Sequence, residues 1–475
     1  MSSSPSTEEK HKDVKSKNDD EAIKAKQQND EDNQRSETSS FNPTQNDCEE
    51  QDLERLKGDA IGDTLYSERF VLNTLLKLGQ LSKDLQEEEE DLEKELCSLW
   101  DMTMEKDIVE YLLKQDVLEL FATIIKTTED KRLSEILVGI LANMVHFSEA
   151  RSALENEEEI VFVLLELSSC LDSLTLEQLM RLFAEVFVNM EGASIFKWYE
   201  YMLKSEQFAQ NIAFILTSAV RATLVFQTME ALNAILAKFA TMETPSENEN
   251  KTPSFEEIFV NFTITSATIE ALQTLQNDTS SQVDNAYEAI PKILLKANQI
   301  FCNIHSILTQ YGDLSREAYE ECNDEMLATL KVVLKTIDGE VKAWSQYEQT
   351  WLESLNDILR VLKNPFDLDI AQCLLKLHFN VSSTIEENLT KDPKANDFES
   401  VDDGMEQVEY EQVLAIILNT INFLILKVDK DALKQCISLC PRKYVMKVMD
   451  TFQEPIESES LKTCYSKLKD ALEEK

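Results

Sequence analysis

Few residues in this sequence have the chemistry of a catalytic or metal-binding site, and those few are widely scattered. The histidines are His11, His146, His305 and His378. A zinc site needs Cys or His pairs at short, fixed spacing that converge on one centre. The pairs at such spacing, Cys302 with His305 and Cys436 with Cys440, supply only two ligands each. We therefore interpret both pairs as packed core residues and predict no metal site.

Catalytic motifs are also absent from the sequence. It has no Gly-x-Ser-x-Gly nucleophile elbow, no Gly-x-x-x-x-Gly-Lys phosphate loop and no glycine-rich dinucleotide loop. Asp and Glu number 89, so carboxylate pairs occur throughout and no single pair is informative. We predict a protein without enzymatic activity or cofactor. The alternative is a subunit of an enzyme complex, which requires His, Cys or acidic residues that converge in a buried cleft with perturbed pKa values.

The charge balance of the chain constrains its partners. It has 46 Lys and Arg against 89 Asp and Glu, a formal net charge of −43. Such a surface repels duplex nucleic acid and acidic membranes, and the sequence shows no Lys/Arg cluster of the kind that binds phosphate. We predict other proteins as partners, with basic segments favoured electrostatically, and leave the oligomeric state open. Two alternatives are acidity that serves solubility alone and an acidic adaptor or chaperone for basic proteins.

Cysteine usage and the N-terminal residues indicate a reducing compartment. The nine cysteines form no Cys-x-x-Cys pair, and the first residues, MSSSPSTEEK, lack the apolar core of a signal peptide. The longest apolar stretch begins at Val413, is short and is interrupted by Asn419, Thr420 and Asn422, so no transmembrane helix is predicted. We expect residence in the nucleus, the cytoplasm or both, without secretion.

The elements that position these residues are predicted to be α-helices. Only 8 Gly and 9 Pro occur, and no proline lies between Pro43 and Pro245. Long stretches rich in Leu, Glu, Lys and Ala without proline favour helices. Apolar residues recur at three- and four-residue spacing, for example from Leu133 to Val145, and no stretch shows the two-residue alternation of a strand. The predicted fold class is therefore all-α.

The helical segments recur with a period typical of armadillo and HEAT repeats. When the segments that begin at Ile136, Leu182 and Phe226 are superposed, three asparagines share one position. These are Asn143, Asn189 and Asn233. The spacings are 189 − 143 = 46 and 233 − 189 = 44 residues, within the range of about 40–47 residues for such repeats. We predict an armadillo/HEAT-like right-handed α-solenoid.

Composition divides the chain into six segments. Residues 1–55 are polar and poor in large apolar side chains, which predicts a disordered acidic tail. The others are 56–242, N-terminal armadillo-like repeats; 243–256, a linker loop; 257–390, divergent helical repeats; 391–409, an acidic loop; and 410–475, C-terminal helices.

The three asparagines are candidate partner-binding residues. In an armadillo-type solenoid the third helix of each repeat lines a groove, where an Asn amide can both donate to and accept from an extended peptide backbone. Glu185 lies one turn before Asn189 and would suit a basic peptide. The alternative is that Asn143, Asn189 and Asn233 face solvent or a neighbouring turn.

Three stretches resemble one known family. They are GDAIGDTLYS from Gly58, ELCSLWDMTMEKDIVEYLL from Glu95 and LVGILANM from Leu137. In order and spacing they are similar to the serum-amyloid-A-like (SAAL) family of armadillo-type proteins, over roughly residues 58–190. The resemblance implies an armadillo-like fold, no known catalytic activity, nuclear or cytoplasmic residence, and a link to cell proliferation and inflammatory growth responses. It brings no established ligand residues.

The sequence departs from peptide-binding armadillo repeats at one recurring position. Such repeats often carry Trp four residues before the groove asparagine, where this chain has Gly139, Glu185 and Met229. Without Trp, one wall of each side-chain pocket is missing, so the binding mode of an import receptor is not expected.

The most specific part of the resemblance, Leu99–Met102, has two interpretations. Trp100 could anchor a helix hairpin, with Asp101 capping the helix that follows. Alternatively, Trp100 and Met102 form a partner-binding patch.

Overall fold

Within the residues that the structure describes, the protein is built from α-helices. The computed structural model describes residues 59–80, 89–205, 207–242, 255–282, 292–337, 346–390, 410–451 and 458–473. Over these ranges the only β-type pairing is an isolated bridge between Ala60 and Ser67. The predicted all-α class is confirmed. The chain divides into two compact units, residues 1–108 and 109–475.

Several predicted segments lie partly or wholly outside this description. The tail, residues 1–55, and the acidic loop, residues 391–409, are both outside the described ranges. Of the predicted linker 243–256, only residues 255 and 256 are described, and they begin a short helix rather than a loop. The segment boundaries proposed from composition otherwise remain predictions.

The first unit contains a turn that leads into two helices. The helices are α1 (Glu68–Gln80) and α2 (Glu89–Met102), and α3 (Lys106–Leu113) begins in this unit and ends in the next. The side chain of Ser67 donates to Asp59 Oδ2 at 2.5 Å, and this bond lowers the pKa of Asp59. Gly62 has φ +56°, a conformation that favours glycine, as expected of a turn residue. The backbone N–H of Asp63 then donates to Asp107 Oδ2 at 2.7 Å.

The second unit continues the helical series to the C-terminus. Its helices are α4 (Val117–Thr127), α5 (Lys131–Met144), α6 (Ser148–Asn156), α7 (Glu158–Leu167), α8 (Ser173–Val188), α9 (Ala193–Lys204), α10 (Phe208–Ser218), α11 (Ala222–Phe239), α12 (Phe255–Phe259), α13 (Phe262–Gln282), α14 (Lys292–Leu308), α15 (Asp313–Glu320), α16 (Asn323–Ile337), α17 (Gln346–Val361), α18 (Leu368–Thr390), α19 (Tyr410–Lys427), α20 (Lys430–Leu439), α21 (Arg442–Thr451) and α22 (Glu459–Glu473).

These helices stack in two parallel series. In the first ladder α5 packs on α8, α8 on α11, α11 on α14 and α14 on α17, and the series continues through α19 and α22. In the second ladder α10 packs on α13, α13 on α16, α16 on α18 and α18 on α21. As far as α17 in the first ladder and α16 in the second, the contacts join every third helix, which is the arrangement of a three-helix armadillo-like repeat whose core is buried against its neighbours. The predicted armadillo-like solenoid is confirmed.

Hydrogen bonds between neighbouring repeats show the same period. Thr175 Oγ1 donates to the carbonyl of Lys131 at 3.3 Å, across 44 residues. The hydroxyl of Tyr201 donates to the carbonyl of Glu155 at 3.0 Å, across 46 residues. The spacing that the sequence predicted between repeats is therefore the spacing that these bonds bridge.

Local sequence signals explain where the ladder helices begin. Asp130 precedes α5 in an extended conformation, and its carboxylate accepts from the N–H of Arg132 at 2.8 Å. Asp172 precedes α8 in the same way and accepts from the N–H of Thr175 at 2.9 Å. Such caps satisfy N–H groups that have no partner inside the helix.

Aromatic residues join the repeats in the core of the second unit. Trp198 is buried and makes edge contacts with Phe183 and Phe187, at centroid distances of 6.4 and 5.5 Å. Phe187 in turn contacts Phe239 at 5.5 Å. This cluster packs α8, α9 and α11 together through apolar burial.

Helix α19 contains the long apolar stretch noted in the sequence. Its 18 residues make it the one helix in the described ranges that is long and apolar enough to cross a membrane, by length and composition alone. From the sequence this stretch is predicted to be too short to span a membrane. In the structure α19 packs against α17, α18 and α22, and its buried side chains, including Val413 and Ile417, face that contact.

Candidate partner-binding surface

The predicted partner-binding residues lie in both units. Trp100 and Met102 belong to α2 in the first unit. Asn143 lies on α5, Glu185 on α8 and Asn233 on α11, while Asn189 directly follows α8. The last four therefore belong to consecutive helices of the first ladder, although their surroundings differ.

Asn143 is held by a neighbouring helix. Its side chain is 8% exposed, and its Oδ1 accepts from Arg181 Nη1 at 2.9 Å. Arg181 Nη2 also donates to the carbonyl of Gly139 at 3.1 Å. Because Gly139 has no side chain, its carbonyl is open to the guanidinium. Burial of Arg181 lowers the pKa of its guanidinium. The carbonyl oxygen of Asn143 is thus already engaged in joining α5 to α8.

Asn189 is an exposed residue at the C-terminal end of α8. Its Nδ2 donates to the carbonyl of Glu185 at 2.9 Å and lies 3.2 Å from Glu185 Oε2. Glu185 Oε2 also lies 3.7 Å from Nδ1 of His146, which follows α5. These three side chains form a small polar cluster that is accessible to solvent.

Asn233 lies in the middle of α11 and is half-buried. Among the described residues no hydrogen-bond partner of its side chain is found. One turn earlier, Glu230 forms an ion pair of 2.5 Å with Lys296 of α14, whose ammonium lies 5.3 Å from the centre of the Phe226 ring. Asn233 is therefore the asparagine of the three whose amide remains available.

Two glutamines on the same ladder are not among the residues predicted from the sequence. Gln178 and Gln227 are each the sixth residue of their helices, α8 and α11. Their Oε1 atoms are buried and have no hydrogen-bond partner in the described part of the chain, and the same holds for Nε of Arg181. Buried polar atoms are rarely left unpaired, because each costs about 1–3 kcal/mol. Their spacing of 227 − 178 = 49 residues differs from the 44 residues between Asn189 and Asn233, so the repeat register read from the sequence does not align them.

Gln178, Arg181, Glu185 and Asn189 are spaced by three or four residues, so they share one stripe of α8. On α11 the corresponding stripe is Phe226, Glu230 and Asn233, and Gln227 lies on the neighbouring face of that helix. We call these two stripes the α8–α11 surface.

The carboxylate of Glu177 joins α8 to α11 at one end of this surface. Glu177 is buried on α8 and accepts from Nε of Arg221 at 2.6 Å and from Oγ1 of Thr223 at 2.5 Å. Arg221 and Thr223 stand at the start of α11. These hydrogen bonds fix the separation of the two helices and therefore of the two stripes.

The motif around Trp100 shows a different arrangement from the one expected. Asp101 lies in the last turn of α2, so it does not precede a helix as a cap, and that part of the prediction was wrong. The carbonyl of Trp100 instead accepts from Thr103 Oγ1 at 2.6 Å, which ends the helix. Leu99 is fully buried, whereas Trp100 and Met102 are half-buried and Met104 is 64% exposed.

One cluster of titratable residues does converge inside the second unit. His305 Nδ1 lies 2.5 Å from the hydroxyl of Tyr319, and His305 Nε2 lies 3.1 Å from Thr268 Oγ1. All three residues are fully buried. Burial lowers the pKa of His305 to about 3 and raises the pKa of the nearby Cys302 thiol to about 12. Each shift keeps its group uncharged, so the cluster contains neither a thiolate nucleophile nor a base poised near neutral pH.

Metal ligands do not gather in the described ranges. No group of three or more His, Cys, Asp or Glu side chains is placed there to hold a metal ion. Cys302, His305, Cys436 and Cys440 are buried, in keeping with their interpretation as core residues.

The comparison with known proteins agrees with the resemblance seen in the motifs. No family model matches the chain. Protein saal1 of Xenopus tropicalis is 32% identical over 190 residues, which cover 38% of this chain and 41% of that protein. Protein SAAL1 of Homo sapiens is 24% identical over 383 residues, which cover 72% of this chain and 78% of that protein. The resemblance to the SAAL proteins is confirmed.

The extent of these matches differs among the relatives. The chain spans about two fifths of the Xenopus SAAL protein in its match. Among solved structures, the SYS-1/POP-1 complex aligns with a TM-score of 0.46 at 10% identity, over 84% of this chain and 62% of that chain. No functional conclusion follows from a structural likeness at this level.

Proposed function

We propose that this protein is a non-enzymatic scaffold that binds another protein on the α8–α11 surface. The observation that carries the proposal is the row of Glu185, Asn189 and Asn233 on consecutive repeats, in which the side chain of Asn233 has no hydrogen-bond partner among the described residues. An extended peptide laid across the two helices would meet the accessible side chains of Glu185 and Asn189 on the first repeat. Asn233, whose amide has no partner among the described residues, would add a donor and an acceptor on the same stripe.

The charge of the surface favours a basic partner segment. Glu185 is 40% exposed at the edge of the α8 stripe, and the whole chain carries −43. Lys or Arg side chains of a partner would be steered to this surface, more weakly as salt is added. Arg181 and Lys296 are each engaged within the protein, by Asn143 and Glu230.

The proposed cellular role rests on the resemblance to the SAAL family rather than on the surface. As a relative of the SAAL proteins, the chain would act in the nucleus or cytoplasm, in cell proliferation or inflammatory growth responses. An acidic adaptor for basic proteins is the second candidate, favoured by the net charge of −43. An adaptor that uses charge alone would lose its partners steeply with salt and would not depend on the amides of the α8–α11 surface.

Affinity purification from cells, quantified by mass spectrometry, tests the proposal. The intact chain is compared with Glu185→Ala/Asn189→Ala/Asn233→Ala. The matched control is Glu166→Ala/Gln207→Ala/Gln435→Ala, which removes one carboxylate and two carboxamides from exposed positions outside the first ladder. We expect specific partners to be lost with the first variant and kept with the control.

The design separates the candidates. Identical partner lists for both variants, with both folded by circular dichroism, would refute the α8–α11 surface as the binding site. Partners that persist with the first variant but disappear in 0.5 M salt would favour the charge-based adaptor.

A further inference from the structure

Two aliphatic side chains are presented to solvent where consecutive helices of the first ladder begin. Leu171 and Val220 directly precede the N-cap residues of α8 and α11, which are Asp172 and Arg221. Leu171 is 87% exposed and Val220 is 95% exposed. The two residues therefore occupy the same position of neighbouring repeats, on one edge of the second unit.

A hydrogen bond brings an aromatic ring beside the first of them. Nδ2 of Asn211 on α10 donates to Oγ of Ser168 at 2.9 Å. Phe214 lies one turn beyond Asn211 on the same side of α10 and is 60% exposed. Leu171 follows Ser168 by three residues. The bond therefore places Phe214 next to Leu171.

The carboxylate of Glu177 holds Val220 close to a fourth apolar side chain. Glu177 accepts from Arg221 and Thr223 at the start of α11. Leu174 lies one turn before Glu177 on α8 and is 38% exposed. Val220, the neighbour of Arg221, thus lies near Leu174. The apolar patch, as we call it, consists of Leu171, Leu174, Phe214 and Val220.

Contiguous exposure of this kind indicates a binding surface. Single exposed apolar residues are ordinary on protein surfaces, whereas contiguous patches of a few hundred Å² are often functional. Three of the four side chains in the apolar patch are more than half exposed. We therefore expect a partner to cover the patch.

The spacing within the patch favours a helix as the occupant. Helices α8 and α11 pack on each other, and packed helices lie about 8–10 Å apart. Leu171 and Val220 stand at equivalent positions, so roughly that distance separates them. Residues i and i+7 of an α-helix share one face about 10.5 Å apart, whereas residues on one face of a strand lie about 6.6 or 13 Å apart.

A partner helix laid along this edge can therefore contact both repeats. Its residues i and i+7 would meet Leu171 and Val220. Its residues i+3 and i+4 lie between them on the same face and would meet Phe214 and Leu174.

The residues that surround the patch are acidic. The segments that lead into α5, α8 and α11, residues 128–131, 168–173 and 219–222, contain three carboxylates, Lys131 and Arg221. Arg221 is paired with Glu177, so a charge of 1 − 3 = −2 remains. Glu129 is exposed and holds, one repeat earlier, the position of Leu171. A lysine or arginine of the partner helix, one heptad beyond the contact with Leu171, would lie beside the Glu129 carboxylate.

We propose that the apolar patch binds an amphipathic α-helix of another protein, with apolar residues at i, i+3, i+4 and i+7 and basic residues beside that stripe. A second copy of this chain is disfavoured, because each copy carries −43 and the copies repel each other. The patch is also smaller than the about 800 Å² per partner that a standard protein interface buries. The proposal is independent of the α8–α11 surface, since the apolar patch shares no residue with it.

The test uses the full chain and a fluorescent library of 18-residue peptides. Its members carry Leu, Ile, Val, Phe or Met at positions spaced three and four residues apart, with Lys, Gln and Ala elsewhere. The twin library has the same composition, with the apolar residues at every second position, so that they share the face of a strand and not of a helix. Binding is followed by fluorescence anisotropy in 0.1 M salt. We expect saturable binding of the first library, at least tenfold tighter than its twin.

Two double variants show where the peptides bind. Leu171→Ser/Val220→Ser should weaken binding of the first library at least tenfold. Both side chains are exposed, so the fold should be kept, which circular dichroism checks. The matched control Leu439→Ser/Val332→Ser also removes one exposed leucine and one exposed valine, from α20 and α16, and should leave binding unchanged.

Several outcomes would overturn the proposal. They are equal binding of the two libraries, no binding at 0.1 mM protein, and equal effects of the two double variants. Loss of binding with Glu185→Ala/Asn189→Ala/Asn233→Ala would place the peptides on the α8–α11 surface instead.

Sedimentation equilibrium and flotation with phosphatidylcholine vesicles test the other occupants. We expect neither self-association nor vesicle binding through the patch. A dimer that Leu171→Ser/Val220→Ser dissociates would assign the patch to a second copy of the chain, and vesicle binding that the same variant abolishes would assign it to a membrane. In either case the partner helix is refuted.

Discussion

The contact between Asn143 and Arg181 allows a direct thermodynamic test of how the first ladder is held together. We consider Asn143→Leu, Arg181→Leu and the double variant, since leucine roughly preserves side-chain volume. Asn143→Leu leaves a largely buried guanidinium with Gly139 as its remaining acceptor in this contact. Arg181→Leu leaves the neutral amide of Asn143 without the hydrogen bond from the guanidinium. Because an unpaired buried charge costs more than an unpaired neutral group, we expect the first change to be the more destabilising.

The magnitudes follow from the geometry. A hydrogen bond of 2.9 Å to a charged donor contributes about 1.5–3 kcal/mol, reduced here because Arg181 retains partial contact with solvent. We expect Asn143→Leu to lower the free energy of unfolding by about 2 kcal/mol, after about 0.5 kcal/mol is regained from the better helix propensity of leucine. Arg181→Leu should lower it by about 1 kcal/mol, and the double variant should cost about 1–2 kcal/mol less than the sum.

The assay is urea unfolding followed by circular dichroism, with constant denaturant dependence as the check that all variants unfold alike. Arg316→Leu is the matched control, because Arg316 is exposed and its ion pair in the described ranges is with Asp313, one turn away. Its effect should stay within about 0.5 kcal/mol. Additive effects of Asn143→Leu and Arg181→Leu, or a greater cost for Arg181→Leu, would refute this account of the contact.

Other predictions follow from single positions. Gly62→Ala should destabilise the first unit by about 1–3 kcal/mol, seen as faster limited proteolysis, because φ is +56° and a Cβ would lie 2.1 Å from Asp107 Oδ2; unchanged proteolysis would contradict this. Burial lowers the pKa of His305 to about 3 and that of His378 to about 4. As pH drops from 6.5 to 5, these histidines therefore take up protons in the unfolded state before they do so in the folded state. The free energy of unfolding should fall over this range, by up to about 1.4 kcal/mol per pH unit for each histidine. Within the described part of the chain, both ring nitrogens of His378 are buried without a hydrogen-bond partner. His378→Leu should therefore raise the free energy of unfolding by about 1–2 kcal/mol at pH 7 and reduce the pH dependence by one proton, measured by urea unfolding at both pH values.

Much of the fold could be predicted from the sequence because the relevant signals are local. The three- and four-residue spacing of apolar side chains, and the lack of proline before Pro245, predict long helices without knowledge of any contact. Asp130 and Asp172 precede helices in the way expected of capping residues. The repeat period could also be read, since equivalent residues of stacked repeats are separated by one repeat length.

The candidate site was predicted only in part. Superposition of the repeats aligned Asn143, Asn189 and Asn233, and the structure places Asn143 on α5, Asn189 directly after α8 and Asn233 on α11. It could not show that Arg181 occupies the oxygen of Asn143, because that bond joins residues 38 apart on different helices. Nor could it show that Gln178 and Gln227 each bury one side-chain oxygen without a hydrogen-bond partner in the described part of the chain.

What the sequence alone determined is the helical character, the repeat period and the acidity of this protein, since each depends on residue types and their spacing along the chain. Tertiary structure decided which polar atoms are satisfied. It placed His305 between Tyr319 and Thr268, and it gathered Leu171, Phe214 and Val220 into one apolar patch although they come from separate loops and helices. The physical reason is that hydrogen bonding, burial and local charge depend on neighbours in space, which helix stacking brings together from positions tens of residues apart.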